Sequence, residues 1–336
     1  MRAKGMGYDT GFTVGGATGR PFDRTRVGRE LRIIRDDLHC NAVRLIGNDL
    51  DRLEVSAEEA AALGLEVWFS PYPMELDPQE ILELLADGAA RAARLRRRGA
   101  AVVFVAGAEL SLFNKGFLPG DGLVERTNGL LNRDPRTMAQ LAGIPGRMND
   151  FLARAVSLVR ARFGGKVTYA AVPFEGVDWQ PFDIVSVDLH RSKEIAHVFR
   201  QGVRRLVAQG KPVAITEVGC ATYRGASDHA ARGGEIVEYD GWTPVRLKGH
   251  HVRDEQEQAA YVRELLGVLA ADGVDAAFVC TFIQYHLPHR EDPARDLDMG
   301  SVGIVKALDD GHGHTFPDMP WEPKAAFRAV ASCYRT

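Results

Sequence analysis

The feature that most constrains this chain is an alternation of short apolar runs with longer amphipathic ones, sustained along its length. MGYDTGFTV is followed by VGRELRIIRDDL, NAVRLIG by an amphipathic stretch around Ala57 to Leu63, and LEVWFSPYP by a segment from Pro78 to about Arg98. AAVVFVAGAEL comes fourth, and a Gly-rich polar stretch from Asn114 to Gly146 separates it from the helical pattern RMNDFLARAVSLVRARF. KVTYAAVPF and FDIVSVDLH read as strands five and six, with KEIAHVFRQGVRRLVAQG as the helix after them. KPVAITEVG is strand seven, followed by an insertion from Ala221 to about Asp254 and the helix EQEQAAYVRELLGVLAADG. DAAFVCTFIQY is strand eight, and WEPKAAFRAV opens the last helix. Strands alternating with helices specify parallel βαβ units, and strand interiors that are apolar throughout say both sheet faces are covered. Eight such units predict a single (β/α)8 TIM barrel over residues 1–336, with long loops after strands four and seven. No GxGxxG or Walker-type loop follows the first strand, which argues against nucleotide binding.

In such a barrel the reactive side chains project from the carboxyl ends of the strands. Counting with period two, Val103, Val105, Gly107 and Glu109 share a face of strand four, and Val213, Ile215 and Glu217 a face of strand seven. Ile184, Ser186, Asp188 and His190 do so on strand six. The count predicts that Glu109 and Glu217 face each other across the barrel mouth. Carboxylates at the ends of apolar strands are costly to bury without a partner or a purpose. Each one alone has a bland alternative, a salt bridge or a helix cap. Two together are the equipment of glycoside hydrolysis, one donating a proton to the leaving oxygen and the other attacking the oxocarbenium-like carbon. The like charge nearby would raise the pKa of one of them and keep it protonated.

These residues carry a resemblance. The chain resembles the clan A glycoside hydrolases, retaining barrel enzymes, over nearly all its length. NAVRLIG is similar to that clan's strand two, and the likeness implies that Arg44 stands near the nucleophile. GAEL implies the acid/base at Glu109, and KPVAITEVG the nucleophile at Glu217. SVGIVKAL followed by WEPKAAF is similar to the clan's exit from strand eight. A closer likeness is to actinobacterial barrel proteins often labelled abortive infection proteins, a label without chemistry. Ala108 stands where the clan has an Asn that binds the sugar 2-OH, His190 where it often has Tyr, and Phe282 where many members carry a Trp platform.

Asn48, Tyr72, Trp179, Gln284 and Tyr285 are further substrate-binding candidates near strand ends, with Asp9, Arg191 and His286 behind them. Trp179 and Phe282 are the expected stacking platforms, and His190 is expected to hydrogen-bond Glu217 or a substrate hydroxyl. The expected ligand is a carbohydrate or glycoside, without a metal or cofactor. Two other readings are open: Glu109, Asp188, His190 and Glu217 as ligands of a divalent metal in a sugar isomerase or hydrolase, and a barrel that binds carbohydrate or serves defence without turnover. A net charge of −3 gives no footprint for nucleic acid or an anionic membrane. The cluster RAARLRRRG closes a helical pattern, where cations complement the helix dipole. Four cysteines without CxxC spacing, and no apolar stretch of signal-peptide or membrane-spanning length, point to the cytoplasm.

Overall fold

The computed structural model describes residues 1–14, 17–18, 21–309 and 311–335. Eight parallel strands form its one large sheet: β1 (Ala3–Asp9), β2 (Ala42–Gly47), β3 (Glu66–Pro71), β4 (Val102–Ala108), β5 (Lys166–Ala170), β6 (Val185–Asp188), β7 (Val213–Val218) and β8 (Ala276–Val279). They lie in the order β5-β4-β3-β2-β1-β8-β7-β6, and a parallel bridge between Ala171 and Val187 joins the two end strands. This is the TIM barrel that the alternation predicts. Around it lie α1 (Arg24–Asp36), α2 (Leu50–Ala62), α3 (Pro78–Arg97), α4 (Ile144–Arg160), α5 (Phe199–Val207), α6 (Glu255–Ala271) and α7 (Ala325–Tyr334). Between β5 and β6 the described chain makes only a 3-10 turn, Pro173–Glu175.

Local chemistry starts the helices at the carboxyl ends of the strands. Asp23, Asp49, Asp77 and Asp254 each accept backbone N–H groups from the first turn of α1, α2, α3 and α6, and Glu80 completes a capping box on α3. One apolar layer, including Val43, Phe69, Phe104, Tyr169, Val213 and Ile215, lies between sheet and helices. A second fills the barrel: Ala3, Ala42, Trp68, Val103, Val105, Ala170, Ile184, Ala214 and Phe278. Trp68 and Phe278 meet at 4.7 Å between ring centres. A Cβ on Gly5 would lie 2.3 Å from the Phe278 ring, so only glycine leaves room for it there.

The stretch 114–146 holds two short helices, Leu123–Leu131 and Pro135–Leu141, where the sequence reads as loop. The insertion after β7 carries a hairpin, Val237–Asp240 with Thr243–Leu247. Trp321–Pro323, read from sequence as the start of the last helix, is instead a strand paired with Val305–Ala307, and α7 begins at Ala325. The buried Lys324 Nζ lies 2.8 Å from Asp298 and donates to Thr222 at 2.9 Å, tying the segments after β7 and β8 to the start of α7.

Candidate active site

Two strand irregularities, invisible to a period-two count, set the site. On β7 the apolar contacts of Val213 and Ile215 are with the helix layer, and Ala214 faces the interior. The count that placed Val213 and Ile215 inside is therefore wrong. The register runs Val187 to Ile215 and then Asp188 to Glu217, and β8 shows the matching shift. One extra residue in β7 restores Glu217 to the mouth while Val218 returns to the outer layer. On β4 the register slips between Val105 and Ala108, at Gly107 with φ +96°, so that Ala108 joins the interior cluster. Glu109 then takes a left-handed conformation, φ 44° and ψ 39°, which costs a non-glycine residue about 1–2 kcal/mol.

That turn is held from behind by a residue sequence reasoning missed. Glu175, fully buried, accepts from Ser111 N at 3.0 Å, Ser111 Oγ at 2.7 Å, Val172 N at 3.2 Å and the Tyr169 hydroxyl at 2.9 Å. Tyr169 in turn accepts from Leu110 N at 2.8 Å, so both residues after Glu109 are tied down. Burial raises the Glu175 carboxyl to about 7 despite these donors. No strand-end rule finds it, because it sits in the turn where a helix would be. Glu175→Gln sets an amide N–H₂ among donors, and urea denaturation should register a loss of about 2–3 kcal/mol.

Arg44, on the inner face of β2 and wholly buried, is the hub. Its Nη1 donates to Glu217 Oε1 at 3.0 Å, Asp188 Oδ1 at 3.2 Å and the Thr216 carbonyl at 3.1 Å. His190 places Nε2 3.6 Å from Glu217 Oε2, and its Nδ1 donates to the Gly219 carbonyl at 2.8 Å. Burial by itself would raise the Glu217 carboxyl, but His190 and Arg44 outweigh it and hold it down at about 2. Burial disfavours the His190 cation, yet Glu217 raises its pKa above the ordinary value. Glu109 goes the other way. Burial, then the charges of Asp188 and Glu217, push its carboxyl well above the usual range, and Arg44 opposes them only in part. The two carboxyls are pushed in opposite directions.

Of the other candidates, Tyr72 lies at the mouth, its hydroxyl pushed well up by burial and by Glu109 and Glu217. Its ring meets Phe12 and Phe113 edge-on at 5.5 and 5.2 Å, an apolar wall of which the sequence reading had only Tyr72. Asp9 ends β1 with its carboxylate on Gly11 N, and Asn48 stands half-buried after β2. The Cys280 thiol, also missed, stands beside Glu217, and burial and the Glu217 charge raise it well above its ordinary value.

Six of the candidates turn to other surroundings. Phe282 is fully buried in the outer layer against Trp321, so it offers no platform. Trp179 lies at the opposite end of the barrel, where Lys211, just before β7, donates to its carbonyl at 2.7 Å. Tyr285 turns to Glu30 of α1, which also accepts from Trp321 and Tyr8. Gln284 accepts from Val302 N at 2.9 Å. Arg191 pairs with Glu264 of α6, and His286 is exposed. Each follows a strand end, but beyond the last paired residue the alternation no longer dictates direction.

No protein-family model matches this sequence, and no curated protein matches it. Solved structures do. A GH113 β-1,4-mannanase matches over 100% of both chains with TM-score 0.62 and 16% identity. The endo-β-1,4-mannanase of Thermotoga petrophila matches over 99% of this chain and 76% of its own, with TM-score 0.53 and 10% identity. The β-glucuronidase of Parabacteroides merdae matches over 99% of this chain but 37% of its own, with TM-score 0.56 and 13% identity. This chain therefore spans little more than a third of that enzyme. These likenesses show the TIM-barrel fold that this chain shares with those enzymes. Neither sequence comparison adds support to the likeness to abortive infection proteins. Among the described residues no helix is long and apolar enough to cross a membrane, and no three His, Cys, Asp or Glu side chains are grouped as metal ligands.

Proposed function

We propose that this glycoside-hydrolase-like barrel cleaves a glycosidic bond with retention of configuration, with Glu217 as nucleophile and Glu109 as acid/base. The observation that carries the reading is the opposite tuning of two carboxyls at one barrel mouth, Glu217 held low by His190 and Arg44 and Glu109 pushed up by burial and its neighbours' charge. In the first step a Glu217 oxygen bonds to the anomeric carbon, the bond to the leaving oxygen breaks, and Glu109 gives that oxygen its proton. In the second, Glu109 takes a proton from water as the water oxygen bonds to the same carbon and Glu217 leaves. An alcohol in place of water gives transfer. Arg44 and His190 keep the nucleophile ionised and aimed.

The reading takes residues 1–336 as one catalytic unit acting in the cytoplasm on a carbohydrate or glycoside found or imported there. A divalent metal fits the site poorly, because the Arg44 guanidinium already stands between Glu217 and Asp188. A second reading, carbohydrate binding without turnover, rests on Ala108, which lies in the barrel interior and offers no side-chain donor to a sugar 2-OH. A panel of aryl glycosides, furanosides and aminosugars included, separates the two. The wild type should release aryl alcohol from at least one, and Glu217→Gln from none. Saturable binding without release would establish the second reading instead.

A further inference from the structure

Arg44 Nη1 faces three acceptors, Glu217 Oε1, Thr216 O and Asp188 Oδ1, at 3.0, 3.1 and 3.2 Å. A guanidinium Nη carries two hydrogens, so the three cannot all be full partners at once. The side chains of Arg44 and Asp188 are wholly shielded from solvent, and that of Glu217 keeps 16% of its exposure. Arg44 Nη2, Asp188 Oδ2 and Thr216 Oγ1 are buried without a hydrogen-bond partner. Asp188 is thus a buried carboxyl whose nearest cation is shared with a second carboxyl, and beyond that cation only the neighbouring Thr216 hydroxyl and the more distant His190 ease its charge. Burying a charge so poorly compensated is costly, and such a group relieves the cost by taking a proton.

We propose that Asp188 is a positioning residue that competes with Glu217 for the Nη1 donor of Arg44 and thereby governs how the Glu217 carboxylate is held. The catalytic meaning of this competition rests on the reading of Glu217 as nucleophile. A protonated Asp188 releases Nη1 to Glu217 and the Thr216 carbonyl. An ionised Asp188 draws Nη1 toward itself and sets a second negative charge beside Glu217. Burial and the Glu217 charge raise Asp188 to about 7 against the pull of Arg44, so the change of partner falls near neutral pH. The groups facing this pair are Arg44 from β2, Tyr72 from beyond β3, Glu109 from beyond β4, His190 from beyond β6 and Cys280 from beyond β8. Of these, His190 and Glu109 are both raised above their ordinary values, and the test must separate them from Asp188.

The test needs no turnover. In protein labelled with [δ-¹³C]glutamate, the Glu217 carboxyl resonance is identified by its loss in Glu217→Gln and followed across pH. The expected result is an inflection near pH 7, far above the titration of Glu217 itself, that is lost in Asp188→Asn and kept in His190→Gln and in Glu109→Gln. An inflection that persists in Asp188→Asn, or none in the wild type, overturns the proposal. Should Asp188→Asn fail to fold, His190→Gln and Glu109→Gln decide: an inflection that survives both supports Asp188, and one that vanishes in either overturns it. The aryl glycoside panel reads turnover separately, so failure of the glycosidase reading leaves this result standing or falling by itself.

Discussion

Replacing Glu217 by Gln is expected to lower turnover of every accepted glycoside by about 10⁴-fold or more, because no bond to the anomeric carbon can form without it. Replacing Glu109 by Ala is expected to act selectively. Poor leaving groups need its proton as the bond breaks, whereas an activated aryl group departs without it. Slow aryl glycosides should therefore lose the most, and nitrophenyl-type ones the least in the first step. Added azide should then restore rate to Glu109→Ala, entering the space of the missing carboxyl and attacking the glycosyl-enzyme on the face that water would use. The product is a glycosyl azide of the starting anomeric configuration, which proton NMR of the anomeric centre identifies. Equal losses across leaving groups, with no azide product, would remove Glu109 from the acid/base role.

The second large effect is expected at Arg44. Arg44→Met leaves Glu217 and Asp188 side by side in the barrel without their cation, and breaking a buried pair in this way costs about 3–5 kcal/mol. The cost should depend on pH with a definite sign. In the wild type Glu217 is depressed from 4.5 to about 2, so its contribution to stability is complete above 4.5 and is lost as pH falls through 2. Without Arg44 the Asp188 carboxyl, already raised to about 7 by burial and the Glu217 charge, rises further while His190 still holds Glu217 down, so folding of the variant takes up the Asp188 proton and gains more stability than the wild type as pH falls from neutral toward 4.5. Urea denaturation at pH 7 and pH 4.5 should show the gap between variant and wild type narrowing on acidification. A pH-independent gap would mean that Arg44 acts by packing alone.

The barrel itself was legible because it depends on a coarse signal. Apolar runs of strand length between amphipathic helices survive small errors in boundaries, and aspartates such as Asp77 mark the helix starts. Glu109 and Glu217 were legible as ionisable residues closing apolar strands. Their placement was not legible by the route used to reach it. The period-two count put Val213 and Ile215 inside the barrel, and they lie outside it. Glu217 still reaches the mouth because β7 carries one extra residue there, and Glu109 because its backbone turns left-handed after the slip at Gly107. Two wrong steps in parity cancelled at the residues that mattered.

Sequence by itself determined the number and order of the βα units, the strand ends at which charge gathers, and the cationic strand-two residue, Arg44. These are properties of a residue and its near neighbours, and they can be read in order along the chain. Tertiary structure alone decided which side chains meet. Phe282 and Tyr285 leave the mouth because the chain beyond β8 is steered by its packing against Trp321 and Glu30, which come from the far end of the sequence and from α1. Glu175 enters the site's support from a turn with no periodicity to mark it, and Cys280 comes beside Glu217 from the neighbouring strand. The opposite tuning of Glu109 and Glu217 belongs to neither residue. It arises because Arg44 and His190 lie against one carboxylate and not the other, a difference of a few ångströms set by the closing of the barrel.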